Sequence, residues 1–296
     1  MNPCYVGRFA PSPTGPLHIG SLLTAVASYL DAKAHQGQWL VRMEDLDPPR
    51  EQPGAADAIL NTLQHYGLHW DGDVLFQSQQ HGRYETTVQQ LLADNNAFYC
   101  TCSRTQILAA SGSTTYPGTC RACHQPPATP FAVRLQVQNK DVSFEDDLQG
   151  PQRCNLQQQG GDFVIKRKEG LYAYHLAVVL DDALQGITHV VRGSDLLEST
   201  FSHWYLQEVL HLAHPHYAHL PVIVNGEGQK LSKQTYAEPI PRQDPGPYLR
   251  YCLQALGQTP PATLRGAAKA TILEWGCEHW RLQQVPHQRS IPQQKL

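Results

Sequence analysis

No stretch of this chain approaches the ~18 consecutive apolar residues that a membrane-spanning helix needs. The opening Met1-Asn2-Pro3-Cys4-Tyr5 has no basic segment leading into an apolar one, so no secretory signal is read there. A strongly cationic balance is missing too. The formal charge of −3 excludes a broad basic face, so any nucleic-acid partner is expected to be held locally, with a modest salt dependence. No internal repeat is visible. These absences lead to the expectation of a cytoplasmic protein. Hydrophobic content of 41% and charged content of 17% are those of an ordinary globular chain, and 296 residues accommodate about two domains.

Eight cysteines are present: Cys4, Cys100, Cys102, Cys120, Cys123, Cys154, Cys252 and Cys277. Four of them fall within a short stretch and the rest are scattered, which in a reducing compartment favours metal binding over disulfides.

Tyr5–Phe9 reads as a strand, closed by the turn-rich segment 10–16. An alanine- and leucine-rich helix follows from Gly20 or Ser21 to about His35, then a strand over Gln38–Met43 that ends in Glu44-Asp45-Leu46-Asp47. Helices are predicted over about 54–66 and 83–95. Strand alternating with helix is the pattern of an α/β fold with a parallel sheet covered by helices. The rhythm breaks over about 99–161, a stretch rich in Pro, Gly, Ser, Thr and Gln that reads as an inserted subdomain over 100–161. The pattern resumes with strand-like runs at 163–165, 177–180 and 187–191, a helix over 196–212 and a strand over 220–224. The main domain is therefore split, 1–99 and 162–235. Residues 236–296 form a proline-rich extension with two helices, near 248–256 and 265–280. Gln157-Gln158-Gln159 and the last Gln- and Pro-rich residues read as loop and tail.

Two short strings carry the chemistry. Pro13-Thr14-Gly15-Pro16-Leu17-His18-Ile19-Gly20 is a turn feeding a helix start, where unpaired backbone N–H groups and the positive dipole end suit phosphate oxygens. There His18 can donate to charge building on an α-phosphate, and Gly20 lets a purine approach the backbone. Lys230-Leu231-Ser232-Lys233 places two ammonium groups on a loop, and such point charges can follow a departing pyrophosphate. Either string alone also fits a capped turn or a solvated loop; together, in this order, they describe a clamp for ATP.

His18-Ile19-Gly20-Ser21 and Lys230-Leu231-Ser232-Lys233-Gln234 resemble the two signature motifs of class I aminoacyl-tRNA synthetases. More narrowly, segment 8–15, Arg42-Met43-Glu44-Asp45-Leu46-Asp47, segment 172–182 and Val191-Arg192-Gly193-Ser194-Asp195-Leu196-Leu197 resemble the catalytic half of glutamyl-tRNA synthetases. The likeness spans about residues 5–235 and stops soon after Lys233, so no large helical anticodon-binding region is expected. That feature and the cysteine cluster resemble the glutamyl-queuosine tRNA(Asp) synthetases, which attach glutamate to the queuosine base of tRNA(Asp). Ser21 stands where the usual motif has a second histidine, and Gln234 where it ends in serine.

The resemblance implies a Rossmann-like catalytic domain with a zinc-bearing insertion and a short helical C-terminal region. It implies a glutamate pocket of Arg8, Phe9, Ala10, Pro11, Ser12, Glu44, Tyr174 and Arg192, and ATP held by His18, Gly20, Lys230 and Lys233, of which His18 and Lys233 are catalytic. The chemistry agrees, because a substrate with two carboxylates and one ammonium needs two cations and one anion. Arg192 is paired with the side-chain carboxylate and Glu44 with the amino group. Glutamine would leave the arginine's charge unmatched, which is where selectivity arises. Partners are then ATP with Mg²⁺, L-glutamate and queuosine-bearing tRNA(Asp); a monomer and no membrane partner are expected.

By spacing alone Cys100, Cys102, Cys120 and Cys123 could make a tetrahedral Zn²⁺ site. The resemblance implies Cys100, Cys102, Tyr116 and Cys120 instead, with Cys123 and His124 as bystanders. His203, His211, His214, His216 and His219 lack an evident carboxylate partner in their stretch and read as solvated or packing histidines. Competing functions are a small-metabolite nucleotidyltransferase, a degenerate tRNA-binding module, and ordinary charging of tRNA(Glu).

Overall fold

The computed structural model describes residues 5–231, 238–241 and 243–294. The first strand, β1 (Val6–Phe9), leads through the turn into helix α1 (Ile19–Ala34) and then strand β2 (Gln38–Met43). Helix α2 (Ala55–His65), strand β3 (Leu75–Phe76) and helix α3 (His81–Ala93) follow. These strands pair in parallel as β1-β2-β3. Helix α1 stops where Gln36 takes a positive φ of 54° and Gly37 packs so closely on Tyr5 that a Cβ there would lie 2.7 Å from the tyrosine Cβ.

Strand β4 (Ala97–Cys100), helix α4 (Arg104–Ser111) and strand β5 (Ala132–Leu135) come next, then the hairpin of β6 (Asp141–Asp146) and β7 (Gly150–Asn155). Leu156–Gln159 is a single helical turn, α5, capped by the Asn155 side chain, where a loop was expected. Strand β8 (Val164–Lys166) joins β4 and β5 in an antiparallel sheet. The β6–β7 hairpin belongs elsewhere: β6 pairs with a strand of the second parallel sheet.

Residues 177–180, expected as a strand, lie inside helix α6 (Tyr174–Leu184). Every residue from Leu176 to Asp182 is buried, so the run has no polar face to show a helical period. Strand β9 (His189–Gly193), helix α7 (Leu197–Val209) and strand β10 (His216–Leu220) follow. The strand expected over 220–224 is broken at Pro221. Its second piece, β11 (Val222–Val224), leaves the sheet. Helices α8 (Gly246–Ala255) and α9 (Lys269–His279) pack on α1, and Ser290–Pro292, expected as tail, is strand β12, parallel to β11.

The second sheet has the order β7-β6-β10-β9. Its β9 edge meets the first sheet where the Thr188 amide donates to the Val6 carbonyl at 2.9 Å. The chain thus winds outward from β1 in one direction and from β9 in the other, and the carboxyl ends of both strands open on one crevice. That is the place where open α/β sheets bind ligands.

Candidate active site

A cavity of about 480 Å³ occupies that crevice. Phe9, Ala10, Pro11 and Ser12 enter it from the end of β1 and the following loop, Glu44 from the end of β2, Tyr174 from the start of α6, and Arg8 and Arg192 from β1 and β9. His18 and Gly20 line it from the start of α1, and Lys230 from the loop after β11. The helix start and the lysine loop, far apart in sequence, therefore line one cavity. Lys233 lies outside the described residues.

His18 is the N-cap of α1, and its Nδ1 accepts from the Ser21 amide at 3.4 Å. A neutral ring so engaged carries its proton on Nε2, a donor in keeping with a developing anion. Over Gly20 the space is bounded by the His18 ring, 3.1 Å from where a Cβ would sit, and by the Leu231 carbonyl at 4.0 Å. Lys230 Nζ, also lining the cavity, meets Asp195 Oδ2 at 2.5 Å.

The end of the cavity lined by Arg8, Glu44, Tyr174 and Arg192 is built on buried charge. Asp182 Oδ1 accepts from Arg8 Nε at 3.2 Å and from Arg42 Nη1 at 2.8 Å. Burial alone would raise its carboxyl, but Arg8 and Arg42 outweigh that and hold it below the ordinary range. Glu44, tied to the β1 loop by its amide to the Pro11 carbonyl at 3.0 Å, lies 3.6 Å from Arg42 Nη2. Burial pushes the Glu44 carboxyl up, against the pull of Arg42 and Arg8. Tyr174 is pushed up to about 12, chiefly by burial.

Arg192 is only 3% exposed, and among the described residues it has no carboxylate in ion-pair reach. Neutral groups hold it: His219 Nε2 on Nε at 3.0 Å, Thr200 Oγ1 on Nη2 at 2.7 Å, the Leu196 carbonyl at 3.3 Å and the Tyr174 hydroxyl at 3.4 Å. His203 Nδ1 lies 3.4 Å from both η nitrogens, and the Tyr217 ring lies 5.4 Å from the guanidinium carbon. Burial and then Arg192 depress His203 well below the ordinary histidine range. A buried guanidinium without an anion is costly unless a ligand supplies one.

A second group lies apart from the cavity. The sulfurs of Cys100, Cys102 and Cys120 all lie within 4.8 Å of one another, close enough to hold a metal ion. The Tyr116 hydroxyl is 3.5 Å from Cys100 Sγ and accepts from the Cys120 amide at 2.8 Å. Arg134 lies over the Tyr116 ring at 4.1 Å and donates to Cys100 Sγ at 3.3 Å. Gly161, at φ 71°, passes so close to Tyr116 that a Cβ would fall 3.0 Å from its amide nitrogen. Cys123 Sγ instead lies 3.6 Å from the Gln125 carbonyl, outside the group.

The family model for the catalytic domain of class I tRNA synthetases (E and Q) matches residues 5–240. Proteins named glutamyl-Q tRNA(Asp) synthetase are 52% identical in Ectopseudomonas mendocina (strain ymp), over the whole of both chains, and 50% identical in Thiobacillus denitrificans, over 97% of each. The chain belongs to this family of class I synthetases. Among solved structures, the glutamate tRNA ligase of Elizabethkingia meningosepticum, in complex with its amino acid, superposes with a TM-score of 0.82 at 25% identity. This chain is covered over 97% and spans 66% of that ligase. The glutamate-tRNA synthetase of Elizabethkingia anophelis gives 0.81, at 25% identity, with 98% and 68% covered.

Sequence reasoning missed the residues that hold the synthetase pocket in shape. Asp182, Thr200, His203, His219 and Asp146 touch the named arginines or each other. His219, one of the five histidines, is buried, and its Nδ1 meets Asp146 Oδ2 at 2.5 Å, a carboxylate from outside their stretch. His216 and His219 sit on strand β10. The signal available for Asp181 and Asp182 was two adjacent carboxylates inside an apolar run, a place where acids occur only when paired. Asp181 accepts from Gln77, Arg83 and Tyr84.

Proposed function

We infer that the chain is a ligase that activates L-glutamate with ATP, without tRNA, and transfers the glutamyl group to the queuosine base in the anticodon of tRNA(Asp). The observation that carries the amino-acid choice is Arg192, a buried cation held, among the described residues, only by neutral groups and facing the same cavity as Glu44. Arg192 receives the side-chain carboxylate and Glu44 the ammonium group. Arg8, partly neutralised by Asp182, borders the α-carboxylate without gripping it so tightly that attack is blocked.

The α-carboxylate oxygen attacks the α-phosphorus in line, and the bond to pyrophosphate breaks. His18 donates to the α-phosphate, Gly20 makes room for the adenine, and Lys230 with Lys233 neutralises the leaving pyrophosphate. A queuosine hydroxyl then attacks the mixed anhydride, giving the ester and AMP. Mg²⁺ accompanies the phosphates. Zinc is the metal proposed for the cysteine group. Three soft thiolates and the Tyr116 oxygen suit a closed tetrahedral site, whose contribution is structural. We place the boundaries of the zinc-bearing insertion at 100 and 161, and the chain acts as a cytoplasmic monomer. No helix among the described residues is long and apolar enough to cross a membrane.

Ordinary charging of tRNA(Glu) is the second reading, and the full-length likeness to proteins named for the queuosine reaction favours the first. Labelled glutamate, ATP and tRNA(Asp) with or without queuosine decide it. Label is expected only on the queuosine-bearing tRNA, and equal label on both overturns the proposed acceptor.

A further inference from the structure

Arg192 and Asp146 sit one imidazole apart. His219 lies directly across from Arg192 in the β9–β10 pair, and Asp146 closes β6 beside Tyr217 on the other flank of β10. Asp146 is fully buried, and its Oδ1 accepts from the amides of Leu148, Gln149 and His219 at 3.1, 2.9 and 3.2 Å. Its Oδ2 accepts from His219 Nδ1 at 2.5 Å. The other ring nitrogen, Nε2, accepts from Arg192 Nε at 3.0 Å and lies 3.1 Å from Thr200 Oγ1. A neutral imidazole that donates from Nδ1 can only accept at Nε2. The carboxylate therefore sets the tautomer, and the tautomer sets the direction of one arginine N–H. Burial outweighs the pull of Asp146 and lowers His219 to about 4, so the ring is neutral at working pH.

We propose that the Asp146–His219 pair is a positioning and specificity device that aims Arg192 while leaving its charge for an acidic substrate side chain. The inference rests on the reading of Arg192 as the ligand of the glutamate side-chain carboxylate. A carboxylate in the place of His219 would fix the same N–H, but it would neutralise the guanidinium, and a neutral amide would then serve as well as an acid. The imidazole transmits the orientation and keeps the negative charge one ring away. His203 Nδ1, also a neutral acceptor, lies 3.4 Å from both η nitrogens, with no hydrogen-bond partner among the described residues on its Nε2.

The test uses the full-length protein in glutamate-dependent ATP–pyrophosphate exchange, with glutamine as the competing amino acid. In Asp146→Asn the side-chain oxygen can still serve the three amides while the NH₂ group faces Nδ1. The ring proton must then move to Nε2, where it opposes the Arg192 N–H. His219→Leu removes the acceptor altogether. Both are expected to raise the glutamate KM about 10- to 100-fold, with kcat and the ATP KM within about threefold, and to lower the preference for glutamate over glutamine at least tenfold. His219→Gln, which can donate to Asp146 and accept from Arg192, recovers most of the loss. Nitrogen-detected NMR of the histidines shows the His219 proton on Nδ1 in the native protein and on Nε2 in Asp146→Asn, a readout that does not depend on turnover. Glutamate KM and preference within about threefold of native in both variants, no recovery in His219→Gln, or a native ring protonated on Nε2 overturns the proposal. Arg192→Met separates the two readings. If it leaves the glutamate KM unchanged, the assignment of Arg192 fails and this inference with it. If it raises the KM while Asp146→Asn and His219→Leu do not, only the positioning role fails.

Discussion

Replacing Asp182 by asparagine probes how the buried charge that shapes the pocket is balanced. The carboxylate is 4% exposed and bridges Arg8 at 3.2 Å and Arg42 at 2.8 Å. Removing one partner of a buried ion pair costs about 3–5 kcal/mol, because the remaining charge stays out of water. Arg42 keeps Glu44 at 3.6 Å and the Gln185 side-chain oxygen at 2.9 Å, which places the loss near the lower end, about 3 kcal/mol. At ~2.1 cal/mol/K of unfolding entropy per residue, a chain of this length loses about 5 °C in Tm. The pH dependence has a definite sign. The folded carboxyl is held below its ordinary value, so its stabilisation is complete above the unfolded pKa of about 3.9 and fades as pH falls toward the lower folded value. The gap between native and Asp182→Asn proteins is therefore constant near neutrality and narrows only below about pH 4. Calorimetry across pH measures it, with the glutamate KM as a second readout, since a loosened Arg8 borders the pocket. A neutral-pH difference under about 1 kcal/mol, or a gap that widens in acid, refutes the reasoning.

Two other predictions concern the metal group and the pocket's acid. Cys120→Ser abolishes metal binding and Tyr116→Phe weakens it, whereas Cys123→Ser keeps the native stoichiometry by elemental analysis; loss of metal in Cys123→Ser alone would make that thiol the fourth ligand. In its proposed role Glu44 must be ionised to receive an ammonium group, and burial holds its carboxyl above the ordinary range. The glutamate KM in the exchange assay therefore rises on acidification before an ordinary carboxylate of about 4.3 would titrate. A KM that rises no earlier than an ordinary carboxylate of about 4.3 would titrate contradicts the assignment.

What could be read from the residues was what depends on neighbours in sequence. Strand β2 was expected at Gln38–Met43 and lies there, because Trp39, Leu40 and Val41 run from a glycine turn into an acidic stop. Helix α6 was misread in part because burial on all sides erased its period. Strand β12 was missed because three residues ending in proline make a strand only when β11 is beside them. The site divides in the same way. Arg8, His18, Glu44 and Arg192 stand in strings whose spacing is informative, and the fold delivers them to one cavity. Asp146, Asp182, Thr200 and His219 act by holding those residues, and only strand register and helix packing bring them within reach.

ATP–pyrophosphate exchange in the absence of any tRNA is the most direct test of a nucleotide clamp beside a pocket for an acidic amino acid. The account predicts exchange that requires L-glutamate, is not supported by glutamine, and is lost in Lys233→Ala. Absence of exchange with every amino acid would contradict it.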